Sequence, residues 1–216
     1  MKTLCNACFL LSSLIFCGSS VQAQEEKLAI TDPAGATYSI TGRYNNRNDY
    51  LRITKVDARG DLLWEADYDI GVDEKPIDVA LNSTGVVILV TRPLNNSRSF
   101  SLINYSARNY LIWDRLSDTR ESDPVSVKVD KDDNIYVCGN TKISNRYRAG
   151  LWKFDSNGTA FWHVEYAAGE NAYARQLQIL FNEDLSLGVT VFTGSDNYGQ
   201  YERRAITYDS SGRQMR

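Results

Sequence analysis

The feature that most constrains this chain is a strand-turn-strand unit that recurs along it four times. In residues 50–64 an alternating segment runs into Asp57, reaches Gly60 three residues later, and places Trp64 four residues beyond the glycine. Residues 150–162 repeat the pattern with Asp155, Gly158 and Trp162. A degenerate copy over 102–113 has Ser106 for the Asp and Asn109 for the Gly, and keeps Trp113 at the same spacing. The fourth copy carries Asp209 and Gly212, and its Trp position falls on Arg216. These substitutions follow turn chemistry. Asp or Ser accepts hydrogen bonds from backbone amides ahead of it, and the glycine position needs positive φ, which Asn tolerates best among the alternatives. Each copy is therefore expected to be a hairpin with a type I turn and a bulge.

A second hairpin precedes each of these, over 28–42, 79–91, 127–140 and, more weakly, 178–191. Together the two hairpins make four strands in about fifty residues, the length of one propeller blade. Aromatic residues are 11% of the chain and Tyr, with 13 copies, is the commonest of them, a composition that favours strands. The expected fold is all-β and β-propeller-like, with four repeats of four-stranded antiparallel blades at about 27–70, 76–117, 124–167 and 174–216. The third repeat, from Val127 through Asn134, Tyr136, Gly139 and Thr141 to Lys153, Asp155, Gly158 and Trp162, resembles the β-propeller repeats of bacterial secreted proteins, the SBBP-type blades. That resemblance covers most of residues 24–216 and implies a fold and an extracytoplasmic habitat, with no specific activity. Closed propellers of this type usually have more blades. A ring of four is therefore small, open or completed by another chain, and the truncated fourth blade leaves a strand edge through which the protein could self-associate.

The N-terminus carries Lys2, an apolar run over 9–16 and then Val21, Gln22 and Ala23. This is the plan of a secretory signal peptide over residues 1–23, too short for a permanent membrane span. Export to the periplasm or the medium is expected. A competing reading makes Cys17 the acylated first residue of a lipoprotein, although Phe16 is bulky for the position before it. Cleavage after Ala23 removes Cys5, Cys8 and Cys17, and leaves Cys138, in an apolar run, as a buried small hydrophobe. It also takes away Lys2 and no acid, so the formal charge moves from −3 to −4. Mild acidity argues against a nucleic-acid or anionic-membrane binder.

Chemistry-bearing motifs are sparse. Asp57, Gly60, Trp64, Trp113, Asp155, Gly158, Trp162 and Gly212 are assigned to turns and to docking between blades, since aromatics at a structural period are normally core. Residues 130–134 imitate the start of a calcium loop, but Ile135 stands where the sharp turn needs Gly and Thr141 where the bidentate Glu belongs. His163 is the single histidine, so the usual zinc ligand set is missing, and no Gly-x-Ser-x-Gly elbow presents a serine. Neither a cofactor nor a metal is expected, and no catalytic residue is assigned. Acids in the connections, namely Asp67, Asp69, Asp73, Glu74, Asp118, Glu121, Asp123 and Glu170, keep a propeller-type hydrolase or lyase open as an alternative.

The leading expectation is a non-catalytic binding or scaffold module of the cell envelope that holds a protein or glycan. The connections between second and third strands occupy one slot of every repeat and gather at one end of the blades. They supply the candidate ligand residues Tyr44, Asn46, Arg47, Asn95, Arg98, Arg146, Tyr147, Asn197 and Tyr198. Tyr, Asn and Arg together offer flat contact area and adaptable hydrogen bonds.

Overall fold

A computed structural model describes residues 27–215 apart from 45, 46, 48, 72, 95, 96, 118–120, 170, 181 and 193–199. Residues 1–23 with Cys17, and Asn46, Asn95, Asp118, Glu170, Asn197 and Tyr198, therefore lie outside the described residues. Every regular element among those described is a β-strand, and no helix is long and apolar enough to cross a membrane.

The strands form four antiparallel sheets, each hydrogen-bonded in chain order. The first contains β1 (Lys27–Thr31), β2 (Thr37–Tyr44), β3 (Asp49–Val56) and β4 (Leu62–Tyr68), and the second β5 (Lys75–Leu81), β6 (Gly85–Leu94), β7 (Ser97–Ser106) and β8 (Leu111–Leu116). The third holds β9 (Ser122–Val129), β10 (Ile135–Ile143), β11 (Arg146–Phe154) and β12 (Ala160–Tyr166). The fourth has three strands, β13 (Asn171–Ile179), β14 (Leu185–Phe192) and β15 (Tyr201–Tyr208). A single bridge from Gln214 to Tyr208 stands where its fourth strand would pair. The fold is β-propeller-like, with three four-stranded blades and one blade short of its outer strand.

Period-2 alternation sends successive side chains to opposite faces of each blade, and the blades stack on those faces. One core joins the first two blades through Tyr38, Ile40, Leu51 and Ile53 against Val86, Ile88, Val90 and Ile103. The next face of the second blade, with Val87, Leu89, Phe100 and Leu102, packs on Val127, Ile135, Val137 and Trp152 of the third. Tyr136, Cys138 and Leu151 then meet Leu177, Leu187, Val189 and Val191 of the fourth. The two inner blades are thus apolar on both faces, and three cores join four blades.

The first strand of each blade lies innermost, with β1 packed on β5, β5 on β9 and β9 on β13. Among the described residues β13 and β1 share no such packing. Among the described residues the arc is not closed by packing of its end blades, and their outward faces differ from the shared ones. On the first blade the face turned away from the second pairs Ser39 with Thr54 and Thr54 with Glu65, and sets Arg52 opposite both Thr41 and Asp67. The outward face of the fourth blade places Gln178, Ser186 and Thr207 in one cross-strand row, and Tyr173, Thr190 and Arg203 in another. A third row on the same face, Asn171, Phe192 and Tyr201, adds aromatic rings to it, whereas polar groups are what terminal repeats need where no neighbour covers them.

The turn and Trp positions form one device repeated at each interface. The Asp57 carboxylate accepts from the amides of Arg59 and Asp61, Asp155 from those of Asn157 and Thr159, and Asp209 from those of Ser211 and Arg213. Asn109 has φ 66°, and Gly60, Gly158 and Gly212 have φ 91°, 75° and 83°. Each indole then reaches the turn of the next blade. Trp64 Nε1 donates to the Ala107 carbonyl at 3.0 Å, Trp113 Nε1 to that of Ser156 at 3.1 Å and Trp162 Nε1 to that of Ser210 at 3.3 Å. The first-blade turn receives none of these indoles: a Cβ built on Gly60 meets nothing within 4 Å, whereas one on Gly212 would strike the Trp162 ring at 2.9 Å.

Candidate functional site

The connections between second and third strands and those between blades share one end of the arc, because each blade's strands alternate in direction. Two clusters of side chains gather at junctions near that end.

The first lies between the first and second blades. Tyr68, at the end of β4, donates its hydroxyl to Asp114 Oδ2 at 2.6 Å. Arg92 Nη2, from β6, donates to the same oxygen at 3.0 Å and to the Tyr68 hydroxyl at 3.2 Å, and stands 3.9 Å from Glu74 Oε1. Glu74 is 0% exposed, and neither of its carboxylate oxygens has a hydrogen-bond partner. Burial raises its pKa to about 7, against which the charge of Arg92 pulls downward. Burial and the bond to Asp114 also push the Tyr68 phenol well above its ordinary value. Above this cluster opens a cavity of about 230 Å³ lined by Asp73, Lys75, Thr91, Arg92, Pro93 and Arg98.

The second cluster is an aromatic row on the third and fourth blades. Tyr147 stacks on Tyr173 with centroids 4.9 Å apart, Phe192 meets Tyr173 edge-on at 5.6 Å, and Tyr201 follows Phe192 at 6.0 Å. Lys142 lies 5.8 Å over the Tyr147 ring and Arg175 lies 5.6 Å over that of Tyr173. An Asn171 carboxamide oxygen accepts from the Tyr147 amide at 2.8 Å, and Asp73 accepts likewise from the Asp49 amide at 3.0 Å. The same connector device thus fixes the start of the third strand in the first and third blades. The row ends on Tyr201, which is 62% exposed.

The candidate residues divide between these places. Arg98 lines the cavity and Tyr147 begins the aromatic row, while Tyr44, at the end of β2, and Arg47 and Arg146 are exposed. The acids diverge as well. Asp67 is tied to Arg52 at 2.8 Å, and among the described connector acids Glu74 is the one completely enclosed. His163 stacks on Trp152 at 4.5 Å with the rings 6° from parallel. Cys138 is enclosed in the core, which pushes its thiol up to about 12 and removes thiolate chemistry at neutral pH. Asp114 escapes a reading of the sequence because an acid on a strand looks like any solvated face; its spacing of 46 residues from Tyr68 carries no local signal. Tyr173 and Phe192 are hidden likewise, as ordinary strand aromatics, while Tyr201 stands at the end of a connection the sequence marks.

No family model and no curated protein matches the chain. Among solved structures it is similar to a gluconolactonase from Xanthomonas campestris, at 14% identity and TM-score 0.47, over 74% of this chain and 52% of that one. A glycosyl hydrolase from Bacteroides ovatus is similar at 11% identity and TM-score 0.42, over 86% of this chain and 65% of its own. A mannose phosphorylase from Leishmania mexicana, in complex with phosphate ion, is similar at 10% and 0.43, over 85% and 63%. The chain spans about half to two thirds of the length of these proteins. Likeness at this level carries no argument about activity.

Proposed function

We propose that this protein is an extracytoplasmic, non-catalytic binding module that holds a glycan or a glycan-bearing protein at the loop end of its blades. The observation that carries the reading is the aromatic row from Tyr147 to Tyr201, flanked by Lys142 and Arg175. Aromatic faces bind the C–H faces of sugar rings, and adjacent cations and amides supply the directional hydrogen bonds that fix their orientation. Affinity electrophoresis through gels containing different polysaccharides tests it. Retardation by at least one polysaccharide, lost in Tyr201→Ala and Tyr173→Ala, is expected; free migration in every gel would sink the proposal.

The hydrolase alternative has one specific observation in its favour, the two carboxylates of Glu74 and Asp114 at one guanidinium nitrogen. Two neighbouring carboxylates are the usual arrangement for acid and base roles in glycoside hydrolysis. Glu74 is enclosed, however, so in this conformation it touches no substrate and serves to join the blades. New reducing ends in a retained polysaccharide, abolished by Glu74→Gln, would favour the hydrolase.

Among the described residues the outer edge of β15 pairs only near Thr207 and Tyr208, and the rest of it is a second place for a partner, by strand addition from another copy. Sedimentation velocity at tens of micromolar is expected to show a dimer. A monomer at every concentration excludes pairing with itself.

A further inference from the structure

The cavity between the first two blades has a composition that solvation alone does not explain. Three cations, Lys75, Arg92 and Arg98, converge on it with one acid, Asp73. Arg92 is 9% exposed, and its Nε, buried, has no hydrogen-bond partner. A buried donor left without an acceptor is destabilising, so the guanidinium gains from an acceptor placed beside it. Lys75 and Arg98 form no ion pair among the described residues, in contrast to Arg52, Lys55, Lys128 and Lys131, each of which does. Arg92 is held by Asp114 and Glu74, so the positive charge without a carboxylate partner in this concave site is that of Lys75 and Arg98.

The remaining lining narrows the ligand. Asp73 Oδ1 accepts from the Asp49 amide, leaving the second oxygen to accept from a hydroxyl, and Thr91 offers a hydroxyl of its own. Pro93 supplies an apolar wall. An inorganic oxyanion would satisfy the cations and leave both the wall and the Asp73 oxygen unused. At about 230 Å³ the cavity is below the range for drug-sized ligands and suits one ring-sized group.

We infer that this cavity is a binding site for a sugar acid, such as a single uronic acid residue, whose carboxylate meets Arg92, Arg98 and Lys75 and whose hydroxyls donate to Asp73. The site lies on a different blade junction from the aromatic row and stands whether or not that row binds a glycan.

Titration calorimetry of the protein lacking residues 1–23 with galacturonate tests it, with glucose, inorganic phosphate and free aspartate as comparison ligands. Galacturonate is expected to bind, with affinity falling about tenfold in Arg98→Ala and in Lys75→Ala, both exposed positions whose loss leaves the fold intact by circular dichroism. Asp73→Ala is expected to reduce the preference for galacturonate over phosphate, and Tyr201→Ala to leave galacturonate binding unchanged. Absence of galacturonate binding at millimolar concentration overturns the assignment. So does phosphate binding as tightly as galacturonate, which would leave a plain anion site, or aspartate binding more tightly than either, which would make it an amino-acid site.

Discussion

At the scale of the residue, the turn positions separate two costs that act together in most proteins. Gly158 and Gly60 both have positive φ, but a Cβ on Gly158 would lie 2.7 Å from Arg115 Cγ and 3.0 Å from the Trp113 ring, while one on Gly60 meets open space. Gly60→Val should therefore cost backbone strain alone, about 1–3 kcal/mol, and Gly158→Val that strain plus displacement of the indole. Asn109→Gly should be nearly neutral, since Gly accepts the φ of 66° that Asn109 adopts. Urea midpoints would check the order, and equal losses at both glycines would mean that the docked indole does not matter. These positions were legible in the sequence because turn chemistry is local. The Glu74 cluster was not: its members come from three strands and a connector, and only Glu74, as a loop acid, drew notice. It makes its own prediction. A carboxyl whose folded pKa is about 7, above its ordinary 4.5, holds its proton more tightly in the folded state, so stability falls as pH rises from 4.5 through 7. Glu74→Gln should remove this loss and gain on the order of 2 kcal/mol at pH 8 relative to pH 5, read from thermal or urea unfolding at the two values. An unchanged pH profile would show that another group carries the dependence.

At the scale of the element, each fourth strand delivers an indole to the turn of the following blade, so the strands are tied across blades as well as within them. Trp113 is 7% exposed and lies in the core between the second and third blades, with its Nε1 bond at 3.1 Å. Trp162 sits at the rim of the last core, and its bond to Ser210 is longer at 3.3 Å and exposed. Trp113→Ala is expected to cost about 3–5 kcal/mol and Trp162→Ala clearly less, by denaturant unfolding. The reverse order would mean that the last blade depends on its dock more than the middle of the arc does. The fixed interval from turn to Trp was visible in the sequence. Which turn each indole reaches was not, since the partner carbonyl lies 43 or 48 residues away and its identity varies among Ala107, Ser156 and Ser210.

At the scale of the whole molecule, four blades share three cores; the outward face of the first blade is polar, and that of the fourth combines polar rows with Tyr173, Phe192 and Tyr201. The sequence already left the ring small or incomplete. Choosing between those required knowing which face of each end blade pointed outward, and a shift of one residue in register would have exchanged the two. The candidate binding surfaces accordingly fall away from a central funnel, the cationic cavity between the first two blades and the aromatic row running from Tyr147 of the third blade onto the outward face of the fourth. Cysteine pairing across adjacent inner strands tests the open arc most directly. Asp78 Oδ2 lies 2.7 Å from Ser126 Oγ across β5 and β9, so Asp78→Cys with Ser126→Cys should form an intramolecular disulfide on mild oxidation. Leu28 and Gln176 hold the corresponding places on β1 and β13, three residues before the partners of Thr37 and Leu185. With Leu28→Cys and Gln176→Cys the account predicts two free thiols in the oxidised monomer, in addition to buried Cys138. Rapid intramolecular closure of that second pair, as complete as the first, would show a closed ring and contradict it.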